Sequence, residues 1–120
     1  MRVRTFRDLV VWQKAFALCV ELYGVTRQFP TEERFGLSAE TRKTARSVAC
    51  NIAEGHRRRS TTEFLRFLDI ASASAAELET QLLLAAALGY LPSQAPLDHL
   101  REVDRMLSSL IHAVRKKLAP

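Results

Sequence analysis

The sequence predicts an all-α fold, an antiparallel up-down-up-down bundle of four helices in a single domain spanning residues 1–120. Three observations carry that expectation. Apolar residues recur at intervals of three and four through four long segments, and no stretch of useful length alternates with the period of two that marks a half-buried strand. The connections between these segments are short, as antiparallel helical neighbours require. Four glycines and four prolines are too few for a turn-rich β domain.

Residues 1–7 read as a basic, extended arm. Helix 1 is expected from about Asp8 to Gln28, with Asp8 as its N-cap or first-turn acid. Its apolar face is read as Leu9, Trp12, Ala15, Phe16, Cys19, Leu22 and Tyr23. Phe29-Pro30 ends it, because a residue before proline avoids helical geometry. Residues 31–36 form a connector with one short turn capped by Thr31. Phe35 and Leu37 are expected to tuck under the end of the bundle.

Helix 2 is expected over Ser38–Arg57, with Leu37, Thr41, Thr44, Ala45, Val48, Ile52 and Gly55 as the core stripe. Helix 3 starts at Ser60-Thr61-Thr62-Glu63, which has capping-box spacing, and runs to about Leu88. Phe64, Leu68, Ala71, Ala75, Leu78, Leu82 and Ala85 alternate by four and three in a heptad seam. Beside it runs a second stripe of Phe67, Ile70, Ser74, Gln81, Leu84 and Leu88. That is more apolar surface than one antiparallel pair covers, so helix 3 is either central or a subunit contact. Gly89 suits a left-handed C-terminal cap, and Pro96 the first position of helix 4. Leu100, Val103, Leu107, Leu110, Ile111, Val114 and Leu118 form the last stripe. Arg115, Lys116 and Lys117 complement the dipole of helix 4.

Composition excludes several classes. A hydrophobic content of 48% argues against disorder. No apolar run reaches the roughly 18 residues of a membrane span, and the N-terminus lacks a signal-peptide pattern, so no membrane partner and a cytoplasmic location are expected. Cys19 and Cys50 read as buried thiols on helix faces. No phosphate loop, zinc-ligand spacing or nucleophile–base pair is present, and no cofactor is implied. Glu54, Glu77 and His56 could in principle gather a metal, but the Glu-x-x-His pattern of di-metal bundles is absent. The chain reads as a non-enzyme.

Charge supplies the functional candidate. Residues 1–60 carry twelve Lys/Arg against six Asp/Glu, and residues 61–120 six against seven. Arg57, Arg58 and Arg59 lie at the corner between helices 2 and 3, with Arg42, Lys43 and Arg46 further back on helix 2 and Arg66 one turn into helix 3. Clustered guanidinium groups pair with phosphates and release counterions from RNA or DNA. A solvated corner, ion-paired to Glu54 and Glu63, is the competing reading. Asn51 and Glu54 share a side of helix 2 and are read as structural polar groups that fix register or pair with Arg57 or Arg58. Trp12 is read as core or interface.

Several blocks resemble a known family. They are Phe6-Arg7-Asp8-Leu9-Val10-Val11-Trp12-Gln13-Lys14-Ala15, Phe29-Pro30 with Glu33 and Phe35-Gly36-Leu37, and Ser47-Val48-Ala49-Cys50-Asn51-Ile52-Ala53-Glu54-Gly55. Glu63–Leu68, Ile70-Ala71, Ser74–Glu79 and Leu88–Leu91 continue the agreement over about residues 6–91, while helix 4 matches by pattern alone. Together they resemble the bacterial four-helix-bundle proteins encoded in 23S rRNA intervening sequences. The departures are small: Ala49-Cys50 replace larger or more polar residues, and Ala73 a common glycine. The resemblance implies a homopentameric ring and brings with it no established enzymatic activity. It also implies kinship with the accessory proteins of diversity-generating retroelements, whose partners are reverse transcriptase and nucleic acid. The expected partners are therefore a second copy of the chain, RNA or DNA, or a protein such as a reverse transcriptase.

Overall fold

A computed structural model of the chain describes residues 3–118. It contains four α-helices: α1 (Val10–Thr26), α2 (Leu37–Arg57), α3 (Thr61–Ala87) and α4 (Ala95–Leu118), with single 3-10 turns at Phe6–Asp8 and Thr31–Glu33. They form a rod of 50 × 23 × 23 Å. Each helix packs on two others: α1 on α2 and α4, and α3 on α2 and α4. Cross-helix contacts show neighbours running in opposite directions. Thr44 meets Glu77 while Ser47 meets Ser74. Arg101 meets Glu79 while Arg115 meets Asp69, and His99 meets Glu21 while Lys14 meets Glu102.

The core runs along the rod axis. Leu22, Ile52, Leu68, Leu78, Leu82, Leu97, Leu100 and Leu107 are its largest fully buried side chains. The expected stripe of α2 is buried throughout, joined by Ser38 and Ala49. The heptad seam of α3 is buried apart from Phe64, which is half-buried. In the second stripe Phe67 is buried, but Ile70, Leu84 and Leu88 remain exposed. On α4, Leu118 is exposed and Leu97 is an additional core residue. Pro96 is the second helical residue rather than the first.

α1 departs most from expectation. Its buried face is Val11, Ala15, Leu18, Leu22 and Thr26, one step round from the predicted stripe, and Phe16 is exposed. The helix is apolar on nearly every side, so several three–four stripes fit it equally and only packing against α2 and α4 chooses one. Its start also differs. Thr5 and Asp8 form a capping box around the Phe6–Asp8 turn, so part of the predicted arm is ordered and Asp8 precedes α1. Residues 1 and 2 of that arm lie outside the described residues.

Three local expectations are corrected. Phe35 is 87% exposed instead of tucked under the bundle; Arg34 lies over its ring at 5.2 Å, while Leu37 alone turns inward. Cys50 is exposed and Cys19 half-buried, because Cys50 stands roughly 200° round α2 from the buried Val48. Burial raises the Cys19 thiol pKa, against the lowering influence of Arg46. Finally, the Ser60 hydroxyl accepts the Glu63 N–H at 3.2 Å, but the Glu63 carboxylate faces Arg66 at 3.8 Å rather than closing the box.

The end of α3 follows its sequence closely. Gly89 has φ +80°. The Tyr90 N–H bonds to the Ala85 carbonyl at 2.8 Å and the Gly89 N–H to that of Ala86 at 3.0 Å, the paired bonds of a Schellman cap. No helix among the described residues is long and apolar enough to cross a membrane.

Candidate nucleic-acid interface

The antiparallel arrangement brings four chain segments to one end of the rod: the Phe6–Asp8 turn, the end of α2, the start of α3 and the end of α4. Arg4, Thr5 and Phe6 share a cleft of about 300 Å³ with His56 and Arg57. Arg115 reaches Asp69 at 3.4 Å, which places the last turn of α4 beside the early turns of α3. Nine cationic side chains gather at this pole: Arg4 and Arg7, Arg57 to Arg59 and Arg66, and Arg115 to Lys117. Four acidic ones accompany them: Asp8, Glu54, Glu63 and Asp69. The excess of five equals the formal net charge of the whole chain.

The acids are occupied. Glu54 pairs with Arg58 at 3.1 Å, Glu63 with Arg66 and Asp69 with Arg115. Asp8 Oδ2 accepts backbone N–H bonds from Arg4 at 2.8 Å and Thr5 at 3.1 Å. Those two bonds, with a smaller contribution from His56, hold its pKa below the ordinary value. Arg4, Arg7, Arg57, Arg59, Lys116 and Lys117 are in no ion pair among the described residues.

Aromatic rings hold part of the pole. Arg58 and Arg66 both lie over Phe67, with guanidinium carbons 5.0 and 5.1 Å from its centroid. Phe67 itself is buried, so the pair of cations rests on a fixed platform. His56 meets Phe64 edge-on at 5.7 Å. Gly55 makes this possible, since a Cβ there would fall 2.6 Å from Phe67 Cβ.

The remaining candidates scatter. Arg42 is half-buried at the far end of α1, where Nε donates to Thr26 Oγ1 at 2.7 Å and Nη2 to the Tyr23 carbonyl at 3.3 Å. Those bonds tie α2 to the end of α1, as a last-turn cation does. Arg46 donates to the Tyr23 hydroxyl at 2.6 Å on the same α1-facing side. Lys43 lies on the other side of α2, beside a polar cleft lined by Thr44, Ser47, Ser74, Glu77 and Gln81. None of the three joins Arg57. The intervening turns of α2 separate them, and helical spacing alone does not report that distance.

Asn51 and Glu54 have separate tasks. Asn51 Nδ2 donates to the Ser47 carbonyl at 2.8 Å and to Ser47 Oγ at 3.0 Å, and Ser47 continues to Ser74 at 2.8 Å. This chain of bonds fixes α2 against α3. Glu54 is exposed, so it is a surface partner of Arg58 rather than a buried polar group. Trp12 is half-buried between Phe6 and Phe16, with centroids 5.0 and 5.1 Å away. Among the described residues no three His, Cys, Asp or Glu side chains converge as metal ligands; Glu77 lies near Thr44 and Gln81, well along α2 and α3 from Glu54 and His56.

Reading the sequence helix by helix missed Arg4, Arg7, Arg115, Lys116 and Lys117 as members of one cluster. The signal was present in the predicted topology, because two antiparallel hairpins must bring both chain ends to the corner between α2 and α3.

The family model described as 23S rRNA-intervening sequence protein matches residues 7–112. The chain belongs to this family. The match covers α1 to α3 and most of α4, so the last helix is family-like as well. A solved structure from the S23 ribosomal protein family, a protein of unknown function from Bacteroides thetaiotaomicron VPI-5482, is similar at 24% identity and a TM-score of 0.77. The alignment covers 86% of this chain and 96% of that one, and at this identity it speaks for the fold. No curated protein matches the chain.

Proposed function

We propose that the protein is a non-catalytic, self-associating helical bundle whose basic pole contacts RNA or DNA. One observation carries this reading: an excess of positive charge equal to the chain's formal net charge collects at one end of the rod, where six cations are in no ion pair among the described residues and two more are held on the Phe67 ring. Phosphates of a polyanion would exchange with the counterions around those side chains. Substituting Arg57, Arg58 and Arg59 by glutamate should weaken binding to a labelled oligonucleotide and reduce the salt slope, d log K/d log [salt], by about 2–3. Reversing Arg101 and Arg105 on the body of α4 serves as the control. Equal slopes for the corner variant and the wild type would sink the proposal.

Self-association rests on a different observation. Ile70, Leu84 and Leu88 stay exposed along α3, and Val10, Phe16 and Val20 along α1. The homopentameric ring is the assembly the family resemblance favours, and a monomeric mass in light scattering at micromolar concentration would refute it. The same apolar faces suit a partner protein such as a reverse transcriptase, and co-purification of a protein that survives nuclease treatment favours that scaffold reading.

A further inference from the structure

The opposite end of the rod contains a second cationic feature, unrelated to the basic pole. A cavity of about 250 Å³ opens where α1 ends and α2 begins, and Arg27, Arg34 and Arg42 line it together with Thr26, Thr31 and Ser38. No carboxylate lines it, and none of the three arginines is in an ion pair among the described residues. Arg42 is already positioned. Its Nε and Nη2 are held by Thr26 and the Tyr23 carbonyl, and its guanidinium lies 4.9 Å from the Tyr23 centroid. Nη1 makes no bond among the described residues.

Ser38 gives the second, independent observation. It is only 6% exposed, it lines the cavity, and its hydroxyl has no hydrogen-bond partner among the described residues. Its oxygen, unlike those of Thr41 and Gln81, keeps accessible surface, so it can donate to a ligand in the cavity. The first turn of α2 adds donors. Gly36, its N-cap, has no side chain to accept from them, and Glu33 takes only the Leu37 N–H, at 3.4 Å. The free N–H groups that follow carry the positive end of the helix dipole. Guanidinium forks, a hydroxyl and helix N–H groups together match a tetrahedral oxyanion.

We propose that this cavity binds a phosphate-type oxyanion, either free or as a monoester. The inference goes beyond the polyanion reading of the other pole and is independent of it. The test is an amide NMR titration of the full chain with inorganic phosphate, chloride replacing it at constant ionic strength as the control. Saturable shifts at Thr31, Ser38 and Ala39, absent with chloride, are the expected result. Arg27→Gln with Arg34→Gln, both exposed positions, should weaken phosphate binding at least tenfold, and Ser38→Ala several-fold. Titration with a nucleoside monophosphate distinguishes the sources: tighter binding than inorganic phosphate identifies an ester, weaker binding the free ion, and each supports the site. Shifts confined to residues 56–66, shifts reproduced by chloride, or unchanged affinity in the folded arginine variant would each overturn it.

Discussion

Replacing Gly55 by alanine tests how the fold and the basic pole are joined. Added at this position, a Cβ would meet Phe67 Cβ at 2.6 Å, Phe64 Cδ1 at 3.2 Å and the Phe64 carbonyl oxygen at 3.3 Å. The first contact is with an atom fixed to the α3 backbone, so a side-chain rotation cannot relieve it. α2 and α3 must separate. Overpacking of this kind costs about 3 kcal/mol at the upper end of its usual range, and the better helix propensity of alanine returns about 1 kcal/mol. The net loss is about 2 kcal/mol, a fall of about 8 °C in melting temperature for a domain of this size. Gly24→Ala is the internal control, because nothing lies within 4 Å of a Cβ there. It should stabilise α1 by about 0.5–1 kcal/mol through the unfolded state. Thermal unfolding followed by circular dichroism reads both. If Gly55→Ala raises the midpoint as Gly24→Ala does, the close approach of α2 and α3 is not what constrains this residue. Because Phe67 carries Arg58 and Arg66, the destabilised variant should also bind oligonucleotide less tightly at a temperature where it remains folded.

Thr41 is fully buried and its hydroxyl has no hydrogen-bond partner among the described residues, so Thr41→Val should stabilise the bundle by about 1 kcal/mol in urea unfolding; a loss of stability would mean that the hydroxyl is satisfied after all. The lowered pKa of Asp8 arises from its bonds to the backbone N–H groups of Arg4 and Thr5. The tie between arm and bundle is therefore fully present above the ordinary value of 3.8 and is lost as pH falls through the lowered folded value. The Arg4 and Thr5 amide resonances should move only in that acid window and should show no such titration in Asp8→Asn.

The helical frame was legible because α2, α3 and α4 each segregate polar and apolar residues. Thr41, Ala45, Val48 and Ile52 can only face one way, and Leu68 to Ala85 repeat with a strict heptad. α1 withheld its face because Trp12, Phe16 and Val20 are as apolar as Val11, Leu18 and Leu22, and only burial against α2 and α4 separates them. Caps were legible where one residue type has one physical use, as at Ser60 and Gly89. The candidate site was half visible. Arg57, Arg58 and Arg59 stand together in the chain, but Arg4 and Lys117 join them only through topology. Arg42, Lys43 and Arg46 looked like part of the same patch because local spacing reports side and not length along a helix. The cavity between Arg27, Arg34 and Ser38 left no motif, since its residues come from a helix end, a loop and a helix start.

Helix dipoles allow the structural and binding contributions of the pole to be separated. The pole holds the negative ends of α2 and α4, so Arg57 and the Arg115–Lys117 run stabilise their own helices whether or not anything binds. Arg59 differs. It lies past the end of α2 and directly before Ser60, the N-cap of α3, where the dipole end is positive and a cation is unfavourable. Arg57→Glu should therefore lower stability by about 0.3–1 kcal/mol, and Arg59→Glu should leave it unchanged or raise it by a similar amount. If the pole binds a polyanion, both variants lose affinity and each lowers the salt slope by about 0.7–0.9 or more. A residue whose charge opposes folding yet supports binding is best explained by the ligand. Should Arg59→Glu gain stability and keep full affinity, the cluster would be a set of helix-terminal charges and its nucleic-acid role would fall.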